Sequence, residues 1–173
     1  MIHQKNKPRG VKEVLIVHPD MNIGGAETQL INLVRGLANS ADINLTVALY
    51  NATGPLMPEL SAVQSINVVD LKRKTVGRFK ALVRLARLVR QRKPDVVYTL
   101  LIGPNIVSGL LSYACSIPML VWGNRVSWFE DGEFGVKGRF SILIAKCLVK
   151  KVDLLISNST AGEKEWHTAI GAP

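Results

Sequence analysis

The sequence contains few of the residues on which redox, metal and disulfide chemistry depend. Its 173 residues include two cysteines, Cys115 and Cys147, and three histidines. Both cysteines lie in apolar runs without the spacing of a disulfide framework, so we expect buried free thiols in a reducing, cytoplasmic compartment. No Cys/His pattern has metal-ligand spacing, and no Ser–His–acid arrangement carries a nucleophile elbow. The sequence therefore predicts no metal site and assigns no catalytic residue.

Three further motifs are absent. No apolar run follows the basic residues 1–10, so they are predicted to be a disordered tail rather than a secretory signal, ahead of one domain at 11–173. The spaced glycines of dinucleotide-binding folds and the lysine of a P-loop are missing, which disfavours tightly bound NAD or ATP. Residues 96–124 carry no charge, but Gly103-Pro104 and Pro118 divide them into pieces too short to span a bilayer.

What the sequence does contain is an alternation of apolar strands and amphipathic helices. Hydrophobic residues make up 47% of the chain, enough for a substantial core. The predicted strands are 14–17, 44–49, 66–69, 95–100, 118–122 and 152–157. The predicted helices are 26–37, 77–92, 104–114, 136–150 and 160–170. This order predicts an α/β fold with a doubly wound, Rossmann-like parallel sheet, whose ligands bind at the carboxyl ends of the strands.

Gly24 and Gly25 follow the first predicted strand and begin its helix. A helix that starts at a glycine pair presents free backbone N–H groups and a partial positive charge, which suits phosphate or another anion. Close helix–strand packing alone would also require glycine there, and both interpretations stay open at this point. Glu27, in the first turn, is predicted to complement the helix dipole.

The loop after the fifth predicted strand is dense in polar and aromatic side chains. Asn124, Arg125 and Ser127 offer an amide, a guanidinium and a hydroxyl, and we predict that they bind substrate. The aromatic residues Trp122, Trp128 and Phe129 are candidates for stacking on sugar faces or on a lipid chain. A surface loop whose aromatic residues cap the core is the alternative. His167, on the last helix, is predicted to be structural.

Residues 72–93 are rich in Lys and Arg and contain no acid. At helical pitch, Lys80, Arg84 and Arg87 lie on the polar side. The apolar stripe on the other side is predicted to be Phe79, Leu82, Val83, Leu85, Ala86 and Val89. With a formal net charge of +9, such a helix is consistent with an anionic membrane surface or nucleic acid, but a packed helix with a solvated charged face is the interpretation that we favour. No motif supports specific nucleic-acid binding.

The glycine-pair helix start, the unit 101–112 with Asn105 at the head of its helix, and the strand 153–159 occur in an order that resembles a known family. The chain resembles the N-terminal domain of family 4 glycosyltransferases, which have the GT-B fold. The resemblance implies retaining, metal-independent transfer of a sugar from a nucleotide-sugar to a glycan or lipid-linked acceptor. It also implies that Gly24 and Gly25 face the diphosphate and that Asn105 contributes to substrate binding.

The resemblance also implies what the chain lacks. The C-terminal domain, which holds the nucleotide site in that family, is absent, so we expect this chain alone to be inactive and to bind no cofactor tightly. Arg125 stands where many relatives carry a histidine near the transferred sugar. The expected location is cytoplasmic, with a possible peripheral position at the cytoplasmic membrane face. The alternative is a non-enzymatic basic α/β module that binds an anionic membrane or a partner protein.

Overall fold

The structure is a computed structural model, and it describes residues 10–124 and 135–171. Its strands are β1 (Lys12–His18), β2 (Ile43–Leu49), β3 (Ile66–Asp70), β4 (Val96–Leu100), β5 (Met119–Asn124) and β6 (Leu154–Ser157). Its helices are α1 (Gly25–Ala38), α2 (Met57–Ser61), α3 (Arg73–Arg92), α4 (Ile102–Ala114), α5 (Gly135–Leu148) and α6 (Thr160–Ile170). A short 3₁₀ turn, Val149–Lys151, follows α5.

Across the described part of the chain, the strands form one parallel sheet in the order β3-β2-β1-β4-β5-β6. The strand order switches between β1 and β4, where Val14 pairs with Val96 and Val17 pairs with Thr99. The four central strands β1, β2, β4 and β5 are largely buried because helices cover both faces of the sheet, whereas the edge strands β3 and β6 are partly exposed. The predicted doubly wound, Rossmann-like sheet is confirmed, and the switch point marks the edge where such folds bind ligands.

Two hydrophobic clusters lie on opposite faces of the sheet. On one face, Leu30 and Val34 of α1 pack with Leu60 of α2 against the strands. On the other face, α3, α4, α5 and α6 share a second cluster that includes Leu85 and Trp122. Both clusters consist of close-packed aliphatic and aromatic side chains, whose burial is the main favourable term in folding. The sheet is therefore held rigidly, and the loops at its carboxyl edge rest on a fixed base.

Two of the strands are each preceded by an aspartate whose side chain binds the backbone of the adjacent strand. Asp95, just before β4, accepts a hydrogen bond at 2.8 Å from the backbone N–H of Glu13 in β1. Asp153, just before β6, accepts one at 2.7 Å from the N–H of Leu120 in β5. Each carboxylate binds a backbone donor near the amino end of the adjacent strand, and such charge-assisted bonds are stronger than neutral ones. The same interaction thus joins the start of β4 to β1 and the start of β6 to β5.

The helix boundaries differ from prediction in two places. The structure places α2 between the second and third strands, where no helix was predicted, with Pro58 in its first turn. Five residues are too short to display helical periodicity, so the sequence pattern gave no signal. The third helix starts earlier than predicted, at Arg73, but Gly77 breaks it with a φ of +83°, which glycine adopts without strain. The main helical body therefore follows Gly77, as predicted.

The predicted apolar stripe of α3 is wrong at two residues. Ala81, Leu85 and Val89 face the sheet, whereas Phe79 is 77% exposed and Val83 is 41% exposed. The line of residues four apart forms the centre of the buried face, and it leaves Phe79 and Val83 on the solvent side. The prediction included every apolar position of the helix, because the sequence did not show which of them would pack against the sheet.

The two cysteines differ in burial. Cys115 is buried at the end of α4, as predicted, and Cys147 is exposed on α5. The prediction of a buried thiol at Cys147 is wrong because this residue lies on the outward side of its helix. Within the described ranges, no helix is both long and apolar enough to cross a membrane.

Candidate functional site at the carboxyl edge of the sheet

The loop between β1 and α1 is fixed by the loop that follows β2. The backbone N–H of Tyr50 donates to the carbonyl of His18 at 3.0 Å, which extends the pairing of the two strands. Further along, Met21 donates to the carbonyl of Thr53 at 2.9 Å and accepts from Leu56 at 3.0 Å. The side chain of Met21 is fully buried. The chain therefore enters α1 along a defined path rather than through a free loop.

Gly54 makes this contact between the loops possible. Its φ is +123°, and a Cβ atom there would overlap the backbone of Met21. Only glycine accommodates both this conformation and this approach. The sequence showed Gly54 as a loop residue, and the structure adds that it supports the loop before the glycine pair.

The N-terminus of α1 has no side-chain cap. Gly24 is the N-cap in an extended conformation, and its carbonyl accepts from the backbone N–H of Thr28 at 3.1 Å. A Cβ on Gly24 would meet the carboxylate of Glu27, whereas nothing lies within 4 Å of where a Cβ on Gly25 would be. The start of the helix therefore has no side-chain cap and has open space beside Gly25, a geometry that suits an anion.

Glu27 and His18 bind each other beneath the glycine pair. The Nε2 atom of His18 lies 3.0 Å from Oε1 of Glu27, and the imidazole is completely buried. Burial lowers the pKa of His18 below its ordinary 6.5, and this effect outweighs the opposite effect of the Glu27 carboxylate. A neutral imidazole must then donate from Nε2–H, because an ionised carboxylate only accepts. Its Nδ1 atom is buried without a hydrogen-bond partner among the described residues.

The His18–Glu27 pair changes the interpretation of both residues. Glu27 was predicted to complement the helix dipole, and its position in the first turn still does so. In addition, it joins the end of β1 to the start of α1, which the spacing of the two residues did not reveal. The His18 side chain contacts Glu27 of α1 and is shielded from solvent. His18 is therefore not an exposed acid or base at the edge of the sheet.

Asn105 is in the first turn of α4, and its side chain reaches back to the junction of β4 and α4. Its side chain is buried, and with the amide nitrogen oriented towards Thr99 it donates to the carbonyls of Thr99 at 3.0 Å and Leu101 at 3.2 Å. Leu101 has a φ of +75°, which is unfavourable for a residue with a side chain. The amide therefore stabilises a strained turn at the ligand edge, and it is not exposed to a substrate in this structure.

Asn124 is the last residue of β5, two positions beyond the predicted end of the strand. Its side chain is buried, and Nδ2 donates to the carbonyl of Gly162 in α6 at 3.3 Å. Trp122 is also buried, and its Nε1 donates to Ser108 at 3.1 Å. The expectation that Trp122 stacks on a sugar is wrong, because its side chain fills the core. Trp128 and Phe129, the other two aromatic residues of this expectation, lie outside the described residues.

Arg125 and Ser127, which were predicted to bind substrate, lie outside the described residues, as does most of the aromatic loop. Lys80 and Arg87 are exposed on α3, as predicted. Arg84 differs from them because its Nη1 donates to the carbonyl of Leu71 at 3.1 Å. Its guanidinium is therefore partly engaged by the backbone.

A polar side chain is also buried near the start of α3. The hydroxyl of Tyr50 has no hydrogen-bond partner among the described residues, and the Arg73 guanidinium lies 5.1 Å from its ring centroid. Burial raises the pKa of Tyr50, and the charge of Arg73 lowers it by less. Tyr50 therefore stays neutral, and the stacked Arg73 covers it.

A pocket of about 460 Å³ lies at the other end of the same edge, where β6 meets α6. Its lining residues are Leu155, Ile156, Ser157, Asn158, Ser159, Thr160, Glu163 and His167. The Ser157 hydroxyl is buried without a hydrogen-bond partner in the described structure, and Ser159 caps α6 by accepting from the N–H of Gly162 at 3.0 Å. The strand β6, which borders the pocket, lies three strands from β1, roughly 14 Å away at ordinary strand spacing.

The pocket was only partly foreseen. Asn158 and Ser159 belong to the segment 153–159 that carries the family resemblance, and His167, which was predicted to be structural, also lines the pocket. The cluster of hydroxyl side chains directly after the apolar strand β6 was the available signal. Among the described residues, no three His, Cys, Asp or Glu side chains gather in a way that could hold a metal ion.

The fold and this edge define an α/β domain of the Rossmann class, with an uncapped glycine-pair helix start beside the switch in strand order. The sequence profile described as "Glycosyl transferase 4-like domain" matches residues 24–173. The chain belongs to this family. The resemblance stated from the motifs is confirmed, and the alternative of a non-enzymatic module has no support. No curated protein matches the chain at a significant level.

Several solved structures share the fold. The Anabaena protein HepE, in complex with UDP, has 18% sequence identity and a TM-score of 0.72 over 93% of this chain and 41% of its own. The same protein with UDP and glucose has 16% identity and a TM-score of 0.71 over 94% of this chain and 42% of its own. Sucrose-phosphate synthase from Thermosynechococcus elongatus has 11% identity and a TM-score of 0.68, covering 92% and 45%. The chain thus spans less than half the length of these proteins.

Proposed function

We propose that this chain is the acceptor-side domain of a glycosyltransferase that transfers a sugar from a nucleotide-sugar with retention of configuration and without a metal. The observation that carries the proposal is the uncapped N-terminus of α1, which opens at the switch point of the sheet. Membership of the glycosyl transferase 4-like family supports it. The UDP and glucose bound by the Anabaena protein make a nucleotide-sugar diphosphate the expected ligand.

Each part of the edge has a role in this proposal. The backbone N–H groups after Gly24 and Gly25 bind the diphosphate, which a second domain presents from the other side of a cleft. Arg125 and Ser127 contact the transferred sugar or the acceptor, a glycan or a lipid-linked sugar. Asn105 and Asn124 act indirectly, because the buried amide of Asn105 holds the junction of β4 and α4 and that of Asn124 joins the end of β5 to α6.

The proposal predicts weak nucleotide-sugar binding by this chain, with contacts centred on the glycine pair. In a titration of labelled protein with UDP-glucose, we expect amide shifts at Gly24 and Gly25 and a Kd of about 1 mM or weaker. Gly25→Asp places a carboxylate where the diphosphate would lie, so we expect it to abolish these shifts. An acid at this helix position is favourable to the fold, so lost binding would not reflect unfolding.

Gly36→Asp is the matched control. It introduces the same side chain into the same helix, at another glycine with open space around its Cβ position. Binding that persists in Gly36→Asp and disappears in Gly25→Asp supports the assignment. Micromolar affinity for the chain alone would contradict a shared site, and shifts confined to other residues would contradict the role of the glycine pair. Transfer by the enzyme that contains this domain, measured with Arg125→Ala, tests the role of Arg125 separately.

A further inference from the structure

Three of the four helices on one face of the sheet carry no acidic residue, whereas the fourth, α6, contains Glu163 and Glu165. The helices α3, α4 and α5, together with the turn Val149–Lys151, contain neither Asp nor Glu. By contrast, α3 alone contains eight of the 22 Lys and Arg residues of the chain. An ordinary solvated helix mixes both signs of charge, because opposite charges at helical spacing stabilise it. We call α3, α4, α5 and this turn the basic layer.

The three helices of the basic layer are neighbours and face the same way. Residues from each of them pack in one hydrophobic cluster on the same side of the sheet. Nη2 of Arg90 in α3 donates to the carbonyl of Ala114 at the end of α4, at 3.3 Å. Helices α4 and α5 are in direct contact. Because their inner sides share one sheet face, their outer sides form one surface of the molecule.

Large apolar side chains stand exposed on this surface. Phe79 is 77% exposed, Phe140 64% and Tyr113 63%. The others, also substantially exposed, are Val83, Leu110 and Leu143. Single exposed apolar residues need no explanation, but several on three adjacent helices indicate a surface that is covered by something other than water.

Cations surround these apolar residues. Lys80 and Arg87 are exposed on α3, and neither has a carboxylate partner among the described residues. Lys146 and Lys150 are exposed beside Leu143. Lys151 places its ammonium 4.8 Å from the ring centroid of Tyr113, where a tyrosine and a lysine can share an interface between apolar and polar surroundings.

We propose that the basic layer binds the surface of an anionic phospholipid membrane. The exposed aromatic and aliphatic side chains enter the boundary between headgroups and acyl chains, and the Lys and Arg residues lie at the level of the phosphates. Leucine and phenylalanine offer nothing to a nucleic-acid backbone, and a protein interface is usually depleted of lysine at its centre. An anionic bilayer is the one partner that attracts the cations and also accepts the apolar residues. This surface is separate from the ligand edge and does not rest on the proposed function.

Vesicle flotation with paired variants tests this proposal. We expect the chain to float with phosphatidylcholine vesicles that contain about one third phosphatidylglycerol, and not with phosphatidylcholine alone. Lys80→Glu with Arg87→Glu should weaken binding about 25-fold or more, since each cation near an anionic surface contributes about fivefold. Phe79→Ser with Leu143→Ser keeps the charge, and it should also weaken binding severalfold because it removes the inserted apolar groups.

The matched control is Lys12→Glu with Arg35→Glu, which changes the net charge equally outside the basic layer. Binding that survives in this control and is lost in both layer variants supports the proposal. Equal loss in the control would show general attraction of a basic protein and overturn it. So would unchanged binding in the serine variant, or sedimentation showing that the wild type is a dimer and the serine variant a monomer. Circular dichroism confirms that each variant is folded.

Discussion

At the scale of single residues, the candidate site depends on the buried pair of His18 and Glu27, which the sequence did not predict. Glu27 fills the space that Gly24 leaves, and His18 fixes the carboxylate from below. The glycine at position 24 is therefore required by a side chain of its own helix, whereas Gly25 borders open space. The two glycines, adjacent in sequence, have different reasons for being glycine.

The buried histidine gives a prediction for pH. Burial lowers the pKa of His18 below 6.5, so below about pH 6.5 the unfolded chain binds a proton that the folded chain does not. The free energy of unfolding therefore falls as the pH drops, by at most about 1.4 kcal/mol per pH unit from this residue. His18→Gln keeps a donor for Glu27 and removes the titration. We expect it to reduce the loss of stability between about pH 7 and about pH 5.5 in urea unfolding.

His167→Gln is the control for this measurement, because His167 is an exposed histidine of α6. It should leave the pH dependence unchanged. A wild-type protein as stable at the lower pH as at neutral pH would contradict the burial of a neutral His18, and so would equal effects of the two substitutions.

At the scale of secondary-structure elements, aspartates determine how the strands of the sheet begin. Asp95 and Asp153 each accept from a backbone N–H of the neighbouring strand. In a parallel sheet the first donors of a strand have no partner in the preceding loop, and a carboxylate there satisfies them. Both residues were assigned at the start of a predicted strand, but their contacts run across the sheet and not along the chain.

We expect Asp153→Ala to lower the free energy of unfolding by about 1 to 2 kcal/mol, since it removes a charged acceptor from a half-buried N–H group. Asp153→Asn keeps an oxygen acceptor and should cost less. Asp42→Ala is the control, because Asp42 contributes only its backbone carbonyl to the interaction with Lys12. Urea unfolding of the three variants measures this difference. If Asp153→Ala and Asp42→Ala change the free energy of unfolding equally, the contact of Asp153 with Leu120 does not stabilise the fold.

Prediction from sequence succeeded for the elements and failed for details that depend on contacts between them. The strands and long helices follow from local periodicity, and α6 was predicted to the residue. The end of β5 was predicted two residues too early, because Gly123 was assigned to the following loop. In the structure the Tyr98 side chain packs where a Cβ on Gly123 would lie, so the glycine allows close approach within the sheet.

The candidate site was predictable only in outline. Topology alone brings the carboxyl ends of β1, β4, β5 and β6 to one edge, and this placed the glycine pair correctly. Whether an amide points to solvent or to a neighbouring turn depends on side-chain packing that no sequence pattern encodes. Asn105 and Asn124, which appeared available for substrate, are therefore buried.

At the scale of the whole molecule, positive charge is concentrated on one side. The net charge of +9 and the acid-free basic layer imply repulsion among like charges in the folded state. We expect the melting temperature to rise between about 0.02 M and about 0.3 M NaCl, as the Debye length shortens. Lys80→Glu with Arg87→Glu should show a smaller rise than Lys12→Glu with Arg35→Glu, which leaves the basic layer intact. No rise, or an equal rise in both double variants, would contradict this account.

The helices α3, α4 and α5 lie on a single side of the sheet, and this position determines how a membrane-bound acceptor would approach the carboxyl edge. In the proposed orientation, the sheet lies parallel to the bilayer with one layer of helices, about 10 Å thick, beneath it. The carboxyl edge then faces sideways, above and along the lipid surface. An acceptor carried by a lipid would meet this edge by moving within the plane of the membrane, so its encounter with the domain becomes a search in two dimensions.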